Sequence, residues 1–579
     1  MKTSRFFVTL FAALAMVLSL SNAQAASAVV SSGESLAAST PPLLSNIQAI
    51  DAGMEHTCAL TLSGGVKCWG NNHYGQIGDN TTFDRYAPKN VVGMSSGFLS
   101  ISTGWMHTCA LTSSGGVKCW GTNHYGQLGD NTSIDRHTPV GVIGLSSGIT
   151  TISAGGGHTC ALTSSGGVKC WGNNFSGQLG NGSVPSKIPT PVDVTGLTSD
   201  VVAVAAGSSH TCALTTGGGV KCWGWNGSGQ LGDGTTTMRN TPVDVIGLAD
   251  GVSAISTGEE HSCALMESGS VKCWGDNRFG QLGDGTKTNR LMPTDATGLN
   301  DIATIQLGDW HSCATTSGGG GTCWGWNKYG RLGDGTTITR LTPVDVSGLT
   351  SDVAAISAGG EHTCAQTSTN EVRCWGNNQF GQLGNGAFTR RLTAVNVLAL
   401  EESRFNSVGL YDGTVRESEE NSNIGGEVIK KLVIQVGDYY SDKQVVSILA
   451  FNTSPLADNI VIQSALIRLN YQSRLGNPEI GLGNLIADIR KSFFGTSASL
   501  LREDFQSPPT KPFVCTFKGY SCGLIGSAFQ HINRNGQTQF RLRYEVDDND
   551  DYDPDYMTFW SGDAQVPLRP QLIILYYVP

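Results

Sequence analysis

The chain has 579 residues, 76 of them Gly, with 15% charged residues and a net charge of −10. That length is too great for one ordinary core, so a repeat array plus a further domain is expected. Nucleic acid is argued against because the array has no Lys/Arg cluster to neutralise phosphates, and past Leu20 no apolar run is long enough to span a membrane.

The first residues read as an export leader. Lys2 and Arg5 supply the positive region, Phe6 to Leu20 the apolar stretch, and Ala23-Gln24-Ala25 the small-residue cleavage site. A signal peptide over 1–25 is therefore expected, with a secreted or cell-surface product of bacterial type. No Cys follows the cleavage site, so no lipid anchor is expected. Loss of Lys2 and Arg5 with the leader takes the charge to −12. An Ala/Ser-rich flexible linker is expected over 26–42.

From about residue 43 to 400 one sentence of sequence recurs, about every 51 residues, in seven copies. Its anchor is a Cys pair: Cys58 with Cys68, Cys109 with Cys119, Cys160 with Cys170, Cys212 with Cys222, Cys263 with Cys273, Cys313 with Cys323, and Cys364 with Cys374. In the second copy, Phe98–Gly104 predicts a strand a, His107–Thr112 a strand b, Gly116–Gly121 a strand c, and Thr138–Val142 a short strand d. Four short strands joined by turn residues make a propeller blade. A b–c hairpin folded about Ser114 sets Cys109 opposite Cys119, where Cβ atoms are close enough for a bridge. Even pairing in an exported chain implies disulfides. Zinc is the competing reading of each His-[Thr/Ser]-Cys, but the Cys-x2-4-Cys spacing of zinc sites is missing. The fold class expected is all-β: a seven-bladed β-propeller with one disulfide per blade, closed so that no sheet edge is left exposed, followed by a jelly-roll-like β-sandwich.

Gly-x-x-His-[Thr/Ser]-Cys-Ala-Leu followed by Val-Lys-Cys-Trp-Gly-x-Asn-x-x-Gly-Gln-Leu-Gly-Asp-Gly-Thr resembles the repeat of the regulator of chromosome condensation superfamily. The resemblance implies a propeller over 43–400. The Cys pairs depart from the nuclear members and suit an oxidising compartment. A secreted beta-lactamase inhibitor of the same superfamily binds a protein, which implies a protein partner here.

If strand a runs up, the a–b and c–d loops meet on one face and the b–c turns lie on the other. The b–c turns are alike. The a–b loops differ at the two positions before His, giving Glu55, Trp105, Met106, Glu259, Glu260, Asp309, Trp310 and Glu361, and the c–d loops add Trp225 and Trp326. Large aromatics on rigidly held loops are typical interface anchors, so these ten residues are the candidate protein-binding set. Packing between blades is the plain alternative for the Trp residues. The seven His, identical in every copy, point to a hydrogen bond each blade needs rather than to a metal or acid–base centre. Asp-Gly at 233–234, 284–285 and 334–335 predicts tight turns with positive φ.

Beyond Leu400 the Cys period stops. Alternating segments at 432–436, 445–451, 465–469, 539–544 and 571–576 predict strands of a sandwich domain over 405–579. Asp412–Arg416, Asn421–Gly425, Ser464–Leu469 and Arg569–Leu572 resemble the DNRLRE-type domains of secreted bacterial proteins, which implies surface or carbohydrate contact. Cys515 and Cys522 are expected to staple a local loop. Asp547, Asp548, Asp550, Asp551, Asp553 and Asp555 offer oxygen ligands dense enough for Ca²⁺, although the spacing is not that of an EF-hand and such runs are commonly solvated loops.

No nucleophile elbow, phosphate loop or His-Glu-x-x-His is present. The reading is a monomeric, exported, non-enzymatic binding protein, its propeller engaging a protein and its sandwich a surface or glycan. A carbohydrate-binding adhesin dominated by the second domain, and a hydrolase using propeller loops, are the alternatives.

Overall fold

Seven four-stranded antiparallel sheets follow one another over 47–90, 98–141, 149–193, 201–244, 252–295, 302–345 and 353–396, each with strand order a-b-c-d. The computed structural model describes residues 40–578 apart from 184–185, 409–411, 418–424, 430–432, 440–442, 458, 470, 476–484, 492–508, 518–520, 535, 545–555, 562–563 and 565–568. The leader expected at 1–25, most of the linker expected at 26–42, and the acidic run Asp547–Asp555 lie outside the described residues.

In the second sheet the strands are Phe98–Thr103, His107–Thr112, Val117–Gly121 and Arg136–Gly141. Strand d starts two residues earlier than expected. In strand c, Val117 and Cys119 are buried and Lys118 is partly exposed, the alternation of a strand with one face inward.

Cys109 pairs directly with Cys119 across the b–c hairpin. The other six sheets repeat the arrangement: Cys58 is bonded to Cys68, Cys160 to Cys170, Cys212 to Cys222, Cys263 to Cys273, Cys313 to Cys323, and Cys364 to Cys374. The Cα separation across every one of the seven bridges is 4.1 Å, closer than the usual span because directly opposed strand positions leave no slack. The pairing within each hairpin, and not between sheets, is the one expected from the ten-residue spacing. Gly121 ends strand c at φ +103°, and a Cβ there would lie 2.6 Å from the Met106 carbonyl oxygen, so the Trp-Gly step admits only Gly. Cys109→Ser with Cys119→Ser is expected to lower stability by roughly 2–3 kcal/mol. Chemical denaturation of the double variant measures it; an unshifted midpoint would show that the hairpin holds without its bridge.

The repeated residues connect one sheet to the next. His56 Nε2 lies 2.9 Å from Thr108 Oγ1 of the second sheet, and the pattern repeats through His107–Thr159, His158–Thr211, His210–Ser262, His261–Ser312 and His311–Thr363. His362 of the seventh sheet makes the same contact, at 2.7 Å, with Thr57 of the first. Each of these hydroxyls donates its one proton to a main-chain carbonyl, as Thr108 does to Gln76 O at 3.0 Å and Thr57 to Gln382 O at 2.9 Å. It must therefore accept from the imidazole, which fixes the Nε2–H tautomer. Burial keeps the rings neutral, pushing His158 and His210 down to about 3. The expected structural role of the seven histidines is thus a hydrogen bond between sheets.

The Trp of each Cys-Trp-Gly reaches the other way, back to the sheet before it. Trp120 Nε1 donates to Gln76 O at 2.9 Å, and Trp69 to Gln382 O at 2.9 Å. Its ring fills the core of the preceding sheet: Trp171 packs with Cys109, Leu111, Val117 and Leu128. The first and seventh sheets are further joined where Leu44 N donates to Val397 O at 2.9 Å.

The strand Glu401–Asn406 leads straight from the seventh sheet into a C-terminal sheet, where it pairs with Gln571–Tyr577; the boundary expected at 405 falls inside it. Val461–Arg468 and Ser521–Gly523 complete this sheet. A second, nine-stranded sheet includes Lys443–Asn452, Leu485–Lys491, Lys511–Thr516 and Gln537–Tyr544. Phe451, Ile489 and Phe540 of the larger sheet share an apolar cluster with Phe405, Ile467 and Leu572 of the smaller. The bridge between Cys515 and Cys522 joins strands of the two sheets, more than the local staple expected.

The smaller C-terminal sheet packs against the repeat array. Leu466, Ile573, Leu575 and Tyr577 cluster with Tyr86 and Ala87 of the first sheet and with Phe388. Beside this patch Arg85 Nη1 meets Glu402 Oε1 at 2.6 Å and its Nη2 meets Asp79 at 2.5 Å, while Arg404 reaches Glu402 at 2.6 Å and the Asp84 carbonyl. These carboxylates are almost fully buried.

Candidate binding face

The a–b loops of all seven sheets converge on one small cavity, of about 80 Å³, walled by small-residue backbone at Gly53, Gly104, Gly155, Gly207, Gly258, Gly308 and Gly359. These glycines are needed by crowding. A Cβ on Gly104, for example, would run into the Gly155 carbonyl oxygen and the His107 ring. Met54, Trp105, Ser208 and Asp309 stand at the same level, so the variable positions gather round the mouth. The c–d loops reach the same face: Trp326 lies 4.9 Å, ring to ring, from Trp310. The b–c turns lie elsewhere, Gly64 beside Gly97 and Phe98 in the d–a connection.

The candidate residues divide by burial. Trp225 is the most open of the four Trp residues, 37% exposed. Trp105, Met106, Trp310 and Trp326 are half-buried. Trp310, Trp326 and Phe279 form one aromatic cluster, with Phe279 stacked on Trp326 at 4.9 Å. Asp309, expected at a loop tip, is instead buried, and it lines the same cavity as Trp105 of another sheet, close enough for that side chain to favour its charged form.

The remaining acids stand on the a–b loops of the first, fifth and seventh sheets, near Asp309 of the sixth. Glu55 accepts from Asn71 Nδ2 at 2.9 Å, Glu361 from Asn377 Nδ2 at 2.6 Å, and Glu260 from Ser228 Oγ at 2.8 Å. Glu259 Oε2 is buried without a hydrogen-bond partner. Burial first, and then Glu361, pushes Glu55 up to about 7. Burial, then Asp309 and Glu260, pushes Glu259 up to about 8. Asp309 rises to about 6 by burial, against the pull of Arg331.

Arg331 was not among the sequence-derived candidates, although one signal marked it: it replaces Gln in the Gly-Gln-Leu-Gly step of the other copies. The main-chain carbonyl at 331 still serves the repeat, accepting from Thr363 and Trp375 at 2.8 Å. The side-chain bond of the other six copies is one that Arg cannot make: there Gln Oε1 accepts from the main-chain N–H two residues earlier, as Gln281 does from Phe279 at 2.9 Å. The guanidinium is fully buried, lies 4.3 Å from the Trp326 ring centre, and donates through Nη1 to Gly360 O at 2.6 Å. Burial lowers it to about 10, with Glu361 and Asp309 opposing.

The sequence pattern of the RCC1-like domain matches residues 135–411, and that of the regulator of chromosome condensation (RCC1) repeat matches 47–76, 63–111 and 98–127. The Ultraviolet-B receptor UVR8 of Arabidopsis thaliana is 34% identical over 384 residues, 64% of this chain and 75% of the receptor. The chain belongs to the RCC1-like repeat family. Another member, the human E3 ubiquitin-protein ligase HERC2, is 35% identical over 268 residues, 44% of this chain but only 6% of the ligase. Among solved structures the RCC1-like fold recurs in human WBSCR16 (24% identity, TM-score 0.52, 57% of this chain and 93% of that one) and in Prp20p of Saccharomyces cerevisiae (21% identity, TM-score 0.51, 61% and 87%). Among the described residues of this RCC1-like chain, no group of three or more His, Cys, Asp or Glu could hold a metal ion, and no helix is long and apolar enough to cross a membrane.

Proposed function

We propose that this chain is an exported, non-enzymatic binding protein whose seven sheets close into a propeller and whose a–b/c–d face engages a protein. The two C-terminal sheets form a jelly-roll-like sandwich that attaches the molecule to a surface or glycan. The observation that carries the reading is the half-buried cluster of Trp310, Trp326 and Phe279 on the a–b/c–d face, with Trp225 open on the same face. Rigid aromatics held by packing lose little entropy on binding and dominate interface energetics. Closure is supported by the His362–Thr57 and Trp69–Gln382 bonds, which repeat between the last and first sheets what links the others. Protein binding is also supported by kinship of fold, since the structure of Prp20p is described with binding to Gsp1p and histones. Export is supported by eight disulfides and, among the described residues, no free Cys.

Trp105→Ala with Trp310→Ala should weaken capture of the native partner by roughly 2–4 kcal/mol, measured by pull-down with oxidised protein from culture fluid or cell surface. Undiminished capture by a folded double variant would remove this face as the binding surface.

A further inference from the structure

The geometry points to a basic segment of the protein partner as the guest of this face, its Lys or Arg side chain entering the mouth of the cavity. This rests on the protein-binding reading above and names the partner's chemistry. Four sheets bring Glu55, Glu259, Glu260, Asp309 and Glu361 to one rim, close enough to influence one another electrostatically. The charges set against them are few. Arg331 is sealed beneath Trp326 and spends its Nη1 bond on Gly360 O. Arg278 is held at 3.0 Å by Asp276 and only approaches Glu260, at 3.8 Å. Glu259 keeps an oxygen that is out of water yet bonded to nothing.

Crowded, half-desolvated carboxylates repel one another, and an incoming cation relieves that repulsion. The rim adds the second requirement of a long cationic side chain, an apolar wall for its stem: half-buried Trp105 lines the cavity with Asp309, and half-buried Trp310 adjoins Asp309 in sequence. The Trp326 ring, by contrast, is already covered by Phe279 and Arg331. A second copy of this chain is the wrong guest, because face-to-face contact would oppose like charges. The small residues at Gly156-Gly157 and Ser208-Ser209 leave the opposite half of the mouth low. A loop can enter from that side.

The test uses the intact oxidised protein and, as probes, soluble peptides of alternating Gly and Lys, Gly and Arg, or Gly and Glu, titrated calorimetrically. The Lys and Arg peptides are expected to bind, more weakly as salt rises, and the Glu peptide not to bind. Glu259→Gln with Glu361→Gln, which keeps both side-chain shapes, should lose about tenfold in affinity for the basic peptides. Asp250→Asn with Glu267→Gln neutralises two exposed carboxylates on the b–c side and should lose almost nothing. The two double variants are compared at about pH 9, where Glu259, pushed up to about 8, is ionised and the Lys and Arg probes keep their charge. Equal losses in the two double variants would mean general attraction to an acidic protein and would overturn the inference, as would basic peptides that fail to bind. If Trp105→Ala with Trp310→Ala abolishes capture of the native partner while Glu259→Gln with Glu361→Gln does not, the face stands and its cationic guest falls.

Discussion

Trp171→Ala is expected to destabilise the repeat array by roughly 3–5 kcal/mol, within the range for emptying a fully buried large aromatic site. The ring has no exposed surface and sits in the core of the second sheet, although strand c of the third carries it. The substitution would leave a cavity between two sheets and deprive the Gln127 carbonyl of the indole N–H at 2.9 Å. Thr159 still donates to that carbonyl at 2.9 Å, so the acceptor is not orphaned and the cavity dominates the cost. Trp171→Phe retains most of the volume and should recover more than half of the loss. Thermal unfolding of both variants measures the pair; equal destabilisation by Ala and Phe would shift the weight to the hydrogen bond.

Glu402→Ala is expected to cost a similar roughly 3–5 kcal/mol for a different reason, since removing one partner of a buried ion pair leaves charge without compensation. Glu402 lies between Arg85 and Arg404, 2.6 Å from each, with only 3% of its side chain exposed. Arg85 would keep Asp79, so the greater loss falls on Arg404 and on the junction of the smaller C-terminal sheet with the first sheet. Glu402→Gln retains an acceptor but not the charge and should fall between the native protein and Ala. Proteolysis near 398–401 should accelerate in the Ala variant while the seven hairpins stay intact. A change below about 1 kcal/mol would place this junction among solvated pairs of little consequence.

The two substitutions differ in how readable they were. Trp171 belongs to the repeating sentence, and identity at one position across seven copies is enough to mark a residue that every sheet uses. The same holds for the His and Cys positions: hairpin register placed Cys109 against Cys119, and repetition separated the histidines from metal chemistry. Glu402 belongs to no repeat. Its partner Arg85 is more than 300 positions away in sequence, and nothing local marks that Arg85, unlike Arg136 or Arg239 in the same position of other sheets, would face a second carboxylate.

At the candidate face, too, the sequence alone determined the positions that vary, because a repeat declares its own exceptions. Trp105, Trp310, Glu259 and Glu361 stood out as departures within a constant frame, and the strand directions assigned them to one side. Only the tertiary structure decided what each departure does. Asp309 turned inward beside Trp105 of another sheet, Arg331 was buried beneath Trp326, and acids from four sheets became neighbours. Burial and electrostatics depend on distances between sheets some fifty residues apart, and those distances exist only after the repeats have packed side by side.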